Sequence, residues 1–175
     1  MRKLVSLLPA AAVLTAPLVL SAQPLDLPPR KAGLWEITMA VEKPGNVPAM
    51  TTKMCLDPAT DRELMEYGLK FTDGKCKSVS RREGSALIIN ADCKIGGKPS
   101  KTTVVITGDF RSAYTARIEG TMASADGKKP QMTQMTQTAT WKSADCPGMK
   151  PGDITMLGGV KVNIKQLKAL SGLLR

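Results

Sequence analysis

Short segments in which apolar and polar residues alternate are the feature that most limits how this 175-residue chain can fold. In the first of them, Trp35, Ile37 and Met39 alternate with polar or small neighbours, the pattern of a strand with one buried face. Turn signals such as Pro44-Gly45 separate the segments. We predict about seven strands, the first beginning at Gly33 and the others covering residues 50–56, 76–82, 85–94, 101–110, 112–122 and 131–142. Short strands at this spacing predict a mainly all-β fold, either a curved antiparallel sheet or a barrel.

Two helices are predicted beside these strands. Asp57 can cap a short internal helix that begins at Pro58, because aspartate is a favoured N-cap and proline fits the first helical position. At the other end of the chain, residues 160–175 have an apolar face and a separate stripe formed by Lys161, Lys165 and Lys168. We therefore expect a C-terminal amphipathic helix.

The N-terminal residues are typical of a secretory signal peptide. Arg2 and Lys3 precede an uncharged apolar stretch over residues 4–20, and the small residues Ser21 and Ala22 follow. The alternative is an uncleaved membrane anchor, since such a stretch lies at the lower edge of a spanning length. We expect cleavage near residue 22 and a periplasmic or secreted protein. The predicted organisation is a signal peptide (1–22), an extended segment (23–32), a β domain (33–148) and a helical tail (149–175).

Four cysteines lie beyond the predicted signal peptide: Cys55, Cys76, Cys93 and Cys146. An even number of cysteines in an exported chain predicts two disulfides. A zinc site with four cysteine ligands is the alternative, but its ligands come in close pairs, and the successive spacings here are 21, 17 and 53 residues.

The pairing of the cysteines depends on one hairpin. If Glu83-Gly84 is its loop, Cys76 faces Ala91 and lies diagonal to Cys93, beyond the usual distance for a disulfide. We therefore favour Cys55–Cys76 with Cys93–Cys146, and the remaining alternative joins Cys55 to Cys93 and Cys76 to Cys146.

The order of these motifs resembles that of a family of small secreted bacterial domains, domain-of-unknown-function family 3617. The residues that carry the resemblance are Gly33-Leu34-Trp35-Glu36-Ile37-Thr38, the pair Cys55-Leu56, the isolated Cys76, Cys93 at the end of a strand, and Asp145-Cys146-Pro147, within residues 31–148. This chain has Ala32 where the family pattern has proline before the Gly-Leu-Trp motif. The resemblance implies a periplasmic or secreted β-rich domain with paired cysteines. It implies no activity, because none is established for the family.

Composition excludes several classes of function. The chain has no histidine, so neither a histidine-activated nucleophile nor a histidine metal ligand can form within it. Its ten methionines invite a copper site, but Met132 and Met135 are three apart on a strand and face opposite sides. The net charge of +10 comes from basic residues that are not interleaved with aromatic ones, unlike those of many nucleic-acid binders. We expect no catalytic residues, no cofactor, no metal and no nucleic-acid partner.

Two candidate sites remain. Trp35 and Trp141 lie on the first and last predicted strands and become neighbours if the sheet closes. They then either line a pocket for an apolar ligand or serve as core anchors. The stripe of Lys161, Lys165 and Lys168 either contacts an anionic membrane or a protein partner, or leaves its helix packed over the sheet.

Our first functional expectation is an exported, disulfide-stabilised, non-catalytic binding module of the cell envelope, with a small apolar or lipid-like ligand. The alternative is an interaction protein that docks on a membrane surface or a protein partner through its basic C-terminal helix. The sequence sets neither the ligand nor the oligomeric state.

Overall fold

The computed structural model describes residues 27–43, 47–71, 76–95, 97–122, 130–155 and 157–173. The predicted signal peptide and residues 23–26 of the predicted extended segment lie outside these ranges. The elements, in chain order, are β1 (Gly33–Lys43), β2 (Val47–Leu56), α1 (Pro58–Phe71), β3 (Cys76–Glu83), β4 (Ala86–Ile95), β5 (Lys98–Gly108), β6 (Ala113–Met122), β7 (Gln131–Ser143), β8 (Asp153–Thr155), a short 3₁₀ turn (Leu157–Gly159), β9 (Lys161–Asn163) and α2 (Ile164–Leu173).

The nine strands form one antiparallel sheet in the order β3-β4-β5-β6-β7-β1-β2-β8-β9. The prediction of a mainly β protein built on a curved antiparallel sheet is confirmed. Of the two predicted architectures the sheet is the open one, because β3 and β9 at its two ends are not paired with each other. Strand β1 nevertheless lies between β2 and β7, so the first long strand of the chain contacts the last long one.

Beyond residue 148, where we predicted a helical tail, the chain first continues the sheet and then forms the second helix. Strand β8 pairs with β2 at Met54 and Ile154, and β9 pairs with β8. Each of these strands has three residues, too few to show an alternating pattern. The second helix therefore begins at Ile164 rather than at residue 160, and Lys161 belongs to β9.

Helix α1 begins as predicted. The Asp57 carboxylate accepts a hydrogen bond from the Thr60 backbone N–H at 2.7 Å, and the Thr60 hydroxyl accepts one from the Asp57 N–H at 2.9 Å. These reciprocal bonds satisfy backbone donors that a helix start leaves free. Pro58, which has no N–H to satisfy, occupies the first helical position.

One face of the sheet, here called the inner face, carries the hydrophobic core. Trp35 and Ile37 on β1 are both buried, and the strand register places Ala139 of β7 and Ala116 of β6 in the same layer. Leu64 of α1 packs on this layer from above. The buried cluster consists of Trp35, Ile37, Leu56, Leu87, Ile106, Phe110, Tyr114, Ala116 and Ala139.

The two predicted disulfides are present, but the predicted pairing is wrong. Cys55 bonds to Cys146, and Cys76 bonds to Cys93. The error is a one-residue shift in the hairpin: Glu83 pairs with Ala86, so the loop is Gly84-Ser85 and Cys76 lies directly opposite Cys93. Gly84 adopts a φ of +58°, the left-handed value that a tight hairpin takes at its first loop position when that residue is glycine.

Two disulfides and no free cysteine indicate an oxidising, extracytoplasmic compartment. Across the part of the chain that the structure describes, neither helix combines the length and the apolar character that a membrane crossing requires.

Candidate functional site

An extended segment, residues 27–32, runs over the inner face just before β1; we call it the strap. The two tryptophans hold it by their indole N–H groups. Trp35 Nε1 donates to the Lys31 carbonyl at 2.7 Å, and Trp141 Nε1 donates to the Ala32 carbonyl at 2.9 Å. The Lys31 ammonium lies 3.5 Å from the centroid of the Trp141 ring, a cation–π contact.

The structure thus brings the predicted pair Trp35 and Trp141 together as register partners on neighbouring strands. Trp35 is completely buried, and the polar end of each indole is bonded to the strap. Neither residue lines the two grooves described below. Both therefore anchor the strap over the inner face, next to those grooves.

Arg30 links the strap to helix α1. Its Nε donates to Asp61 Oδ1 at 2.7 Å, and its backbone N–H donates to Asp61 Oδ2 at 3.0 Å. The side chains of this ion pair are only 11% and 7% exposed, so water screens it far less than a surface pair. Asp61 is buried in the first turn of α1, just after the cap at Asp57.

Two residues of the sheet complete a polar cluster around Arg30. The Tyr114 hydroxyl of β6 lies 3.5 Å from Arg30 Nη1 and accepts a hydrogen bond from Gln137 Nε2 of β7 at 3.3 Å. We call Arg30, Tyr114 and Gln137 the polar centre. Apolar residues of the inner face surround it, among them Ile37, Ala116 and Ala139.

An open groove of about 320 Å³ lies on one side of the polar centre. Its apolar wall comes from β1 and β2, and three of its side chains are methionines; we call it the methionine groove. Methionine is flexible and polarisable, so such a wall adapts to ligands of irregular shape. Besides the polar centre it is lined by Ile37, Met39, Met50, Thr52 and Met54.

A second open groove, of about 220 Å³, lies on the other side of the polar centre. Its floor is formed by β5 and β6, and the strap and α1 form its sides; we call it the aliphatic groove. Besides the polar centre it is lined by Leu27, Pro28, Met65, Val104, Ile106, Phe110, Ala116 and Ile118. The three residues of the polar centre line both grooves and so form the wall that the grooves share.

Phe110 reaches the aliphatic groove from a strained turn between β5 and β6. It is the one non-glycine residue of the described chain with a positive φ, +57°, a conformation that is rare for a bulky side chain. Its ring stacks on Tyr114 with 4.9 Å between centroids. The Lys31 N–H donates to its carbonyl at 3.3 Å, so the turn also contacts the strap.

Asp109 holds this turn in place. The backbone N–H and hydroxyl of Ser112, and the N–H groups of Ala113 and Arg111, donate to its carboxylate at 2.7–3.1 Å. Because these bonds favour the charged form, they hold the pKa of Asp109 well below its ordinary value, the bonds from Ser112 being the largest cause. A charged Asp109 therefore fixes the backbone that presents Phe110 to Tyr114.

A larger open space, about 550 Å³, lies at the far end of β3, β4 and β5, next to the Cys76–Cys93 disulfide. Its lining includes three lysines, Lys77, Lys94 and Lys101. The strands at this end lead into residues 72–75, 96 and 123–129, which lie outside the described ranges. The two grooves form the candidate site, because they converge on one polar cluster.

The predicted docking lysines do not share one helix. Lys161 lies on β9, where its Nζ donates to the Gly148 carbonyl at 2.7 Å, and Lys165 is exposed near the start of α2. The side chain of Lys168 lies outside the described part. Ile164, the first residue of α2, is completely buried beside Gly152, so the start of this helix packs on the domain.

Sequence reasoning missed Arg30, Tyr114 and Gln137. Gln137 could have been found from the sequence, because in the alternating pattern of β7 it is a polar residue on the same face as Met135 and Ala139. Arg30 and Tyr114 are 84 residues apart, and no local pattern places them together. Among the described residues there is no group of three or more cysteine, aspartate or glutamate side chains arranged to hold a metal ion.

Comparison with known proteins assigns the chain to a family without assigning it an activity. No curated protein and no solved structure matches it. The model of a family described as a protein of unknown function, DUF3617, matches residues 30–146, from the arginine of the polar centre to the last cysteine. The match covers well over half of the sequence, and the chain therefore belongs to the DUF3617 family.

Proposed function

We propose that this protein is an exported, non-catalytic binding module of the cell envelope that holds a small apolar or lipid-like ligand on the inner face of its sheet. One observation carries the proposal: two apolar grooves flank a single polar centre, between the sheet on one side and the strap and α1 on the other. A concave, mostly apolar surface with a few converging polar groups is the usual form of a small-molecule site.

The way the grooves are built supports binding rather than simple imperfect packing. Their floors are regular strands of one continuous sheet, so the shape exists before a ligand arrives. The strap is fixed by both tryptophans and by the Arg30–Asp61 pair, which keeps it beside the grooves. A site formed in advance loses little conformational entropy on binding.

The proposed location and the proposed absence of catalysis rest on different features. The two disulfides suit an oxidising compartment, and the N-terminal sequence is typical of an export signal. The polar centre contains a guanidinium, a phenol and an amide, and the carboxylate that contacts it, Asp61, already accepts hydrogen bonds from the Nε and the backbone N–H of Arg30. These groups are suited to hold and orient a ligand.

A matched pair of substitutions on β2 tests whether the methionine groove binds apolar molecules. Thr52 lines this groove, whereas its neighbour Thr51 is exposed and points to the opposite face of the sheet. The probe is N-phenyl-1-naphthylamine, an uncharged molecule whose fluorescence rises in apolar surroundings. Saturable binding is expected for the wild type and for Thr51→Trp, and binding about fivefold or more weaker is expected for Thr52→Trp, whose indole fills the groove.

Two results would contradict the proposal. One is the absence of saturable probe binding to the folded, disulfide-bonded wild-type protein. The other is an equal effect of the two substitutions, which would place the bound probe outside the methionine groove. Circular dichroism of each variant checks that the sheet is retained.

A further inference from the structure

A ligand that enters the grooves must form hydrogen bonds with the polar centre. Arg30, Tyr114 and Gln137 line both grooves, so a ligand that occupies either groove meets them. A wholly apolar ligand would cover these groups without offering hydrogen bonds, which is unfavourable for partly buried polar atoms. The chemistry of the polar centre therefore indicates which group the ligand carries.

Arg30 presents unused donors to the grooves. Asp61 occupies its Nε edge at 2.7 Å and its backbone N–H at 3.0 Å. On the outer edge of the guanidinium, Nη1 has a single long contact, 3.5 Å to the Tyr114 hydroxyl, and no hydrogen bond joins Nη2 to another described residue. This edge has the two parallel N–H donors that bind a carboxylate or a phosphate in a fork.

Tyr114 adds a donor at the same place. Its hydroxyl oxygen accepts from Arg30 Nη1 and from Gln137 Nε2, and in none of the hydrogen bonds of the described residues does Tyr114 donate its proton. Phe110 fixes the phenol ring by stacking on it at 4.9 Å. The outer edge of Arg30 and the Tyr114 hydroxyl thus offer donors to one point between the grooves.

Asp61 does not remove the attraction of this point for an anion. It lies against the inner edge of the guanidinium and fixes its orientation, so the outer edge faces the grooves. At 11% exposure the Arg30 side chain is shielded from bulk water, and hydrogen bonds to charged groups are stronger in such surroundings.

We propose that the ligand is an acidic lipid: its carboxylate or phosphate binds the outer edge of Arg30 and the Tyr114 hydroxyl, and its apolar chains lie in the methionine and aliphatic grooves. This inference rests on the proposed function and specifies its ligand class. Because an apolar groove lies on each side of the polar centre, the site accepts one chain or two chains that diverge from a single acidic group.

The test compares ligands that differ only in the acidic group. Oleate and oleyl alcohol, each below the concentration at which it aggregates, displace N-phenyl-1-naphthylamine from the wild-type protein. A preference of about tenfold or more for oleate is expected from a charge-assisted fork on Arg30. Inorganic phosphate at millimolar concentration is expected not to displace the probe, because it carries no chain to enter the grooves.

Three variants locate the preference. Tyr114→Phe keeps the stacked ring and removes the hydroxyl, so the ratio of oleate affinity to oleyl alcohol affinity should fall about three- to tenfold. Both affinities are measured in the same variant, so a general change in the groove cancels from this ratio. Arg30→Met/Asp61→Leu removes both charges together, leaves no unpaired ion and should abolish the preference. Arg117→Met changes an exposed arginine on the outer face of β6 and should have no effect.

The outcomes separate this inference from the proposed function. Equal binding of oleate and oleyl alcohol, or a preference that survives in Arg30→Met/Asp61→Leu, would overturn the acidic-lipid inference while leaving an apolar site. Displacement of the probe by phosphate alone would also overturn it, in favour of a small oxyanion. Failure of the wild type to bind the probe at all would remove the proposed function itself.

Discussion

The ion pair between Arg30 and Asp61 should be one of the most sensitive points of the fold. Replacing Asp61 with leucine leaves the Arg30 guanidinium, 11% exposed, without its partner and also removes the acceptor of the Arg30 backbone N–H. Loss of one partner from a buried pair costs roughly 3–5 kcal/mol. Because the guanidinium still reaches the open grooves, we expect the lower end, about 3 kcal/mol.

The double variant Arg30→Met/Asp61→Leu is the critical comparison. Because it buries no unpaired charge, it should recover most of the loss. The remaining cost, about 1 kcal/mol, comes from the backbone N–H of residue 30, which still lacks its acceptor. A double-mutant cycle that adds Arg30→Met then gives the coupling energy of the pair.

Urea and thermal unfolding of the disulfide-bonded proteins measure both effects. For a chain of this length about 3 kcal/mol corresponds to a fall in Tm of about 6–12 °C. A loss below about 1 kcal/mol for Asp61→Leu would refute the reasoning, since that is the value of a solvent-screened surface pair. The strap would then be held chiefly by the two tryptophans and by the hydrogen bond from Lys31 to the Phe110 carbonyl.

Two further predictions concern the disulfides and the turn at Asp109. Non-reducing digestion should yield one peptide pair joined through Cys76 and Cys93 and another through Cys55 and Cys146; a pair that joins Cys55 to Cys76 would contradict the hairpin register. Removing the Cys76–Cys93 disulfide, which closes a 17-residue loop, should lower the free energy of unfolding in urea by about 3 kcal/mol. Removing Cys55–Cys146, which closes a 91-residue loop, should lower it by more. Because the folded-state pKa of Asp109 is lowered from 3.8, its stabilisation is present above about pH 4 and is lost as the pH falls towards the folded-state value. Asp109→Asn should therefore flatten the acid side of a plot of stability against pH, and an unchanged slope would contradict the role given to this carboxylate.

The strands and α1 were predictable because their signals are local. Apolar residues at every second position mark the buried face of β1, and a favoured cap followed by proline marks the start of α1. The hairpin at Gly84 was harder, since shifting a two-residue loop by one position turns a diagonal cysteine pair into a directly opposed one. Strands β8 and β9 are too short for any periodic signal.

The candidate site could not be predicted from local sequence patterns, because its residues come from distant parts of the chain. Its charged pair joins Arg30 to Asp61, 31 residues along the chain, and its phenol comes from β6. These groups meet because the strap crosses the sheet where β6 and β7 lie side by side, which depends on strand order and register. The sequence did single out Trp35 and Trp141, and these two residues hold the strap that carries Arg30.

The most direct test of the central claim is native mass spectrometry of the protein purified gently, without detergent, from the envelope fraction of its own host, followed by the same measurement after denaturation. The account predicts an added mass that disappears on denaturation, that an organic extract identifies as an acidic lipid, and that is absent from Arg30→Met/Asp61→Leu. A wild-type protein that carries no added mass, or one whose added mass is an uncharged molecule retained equally by the double variant, would contradict it.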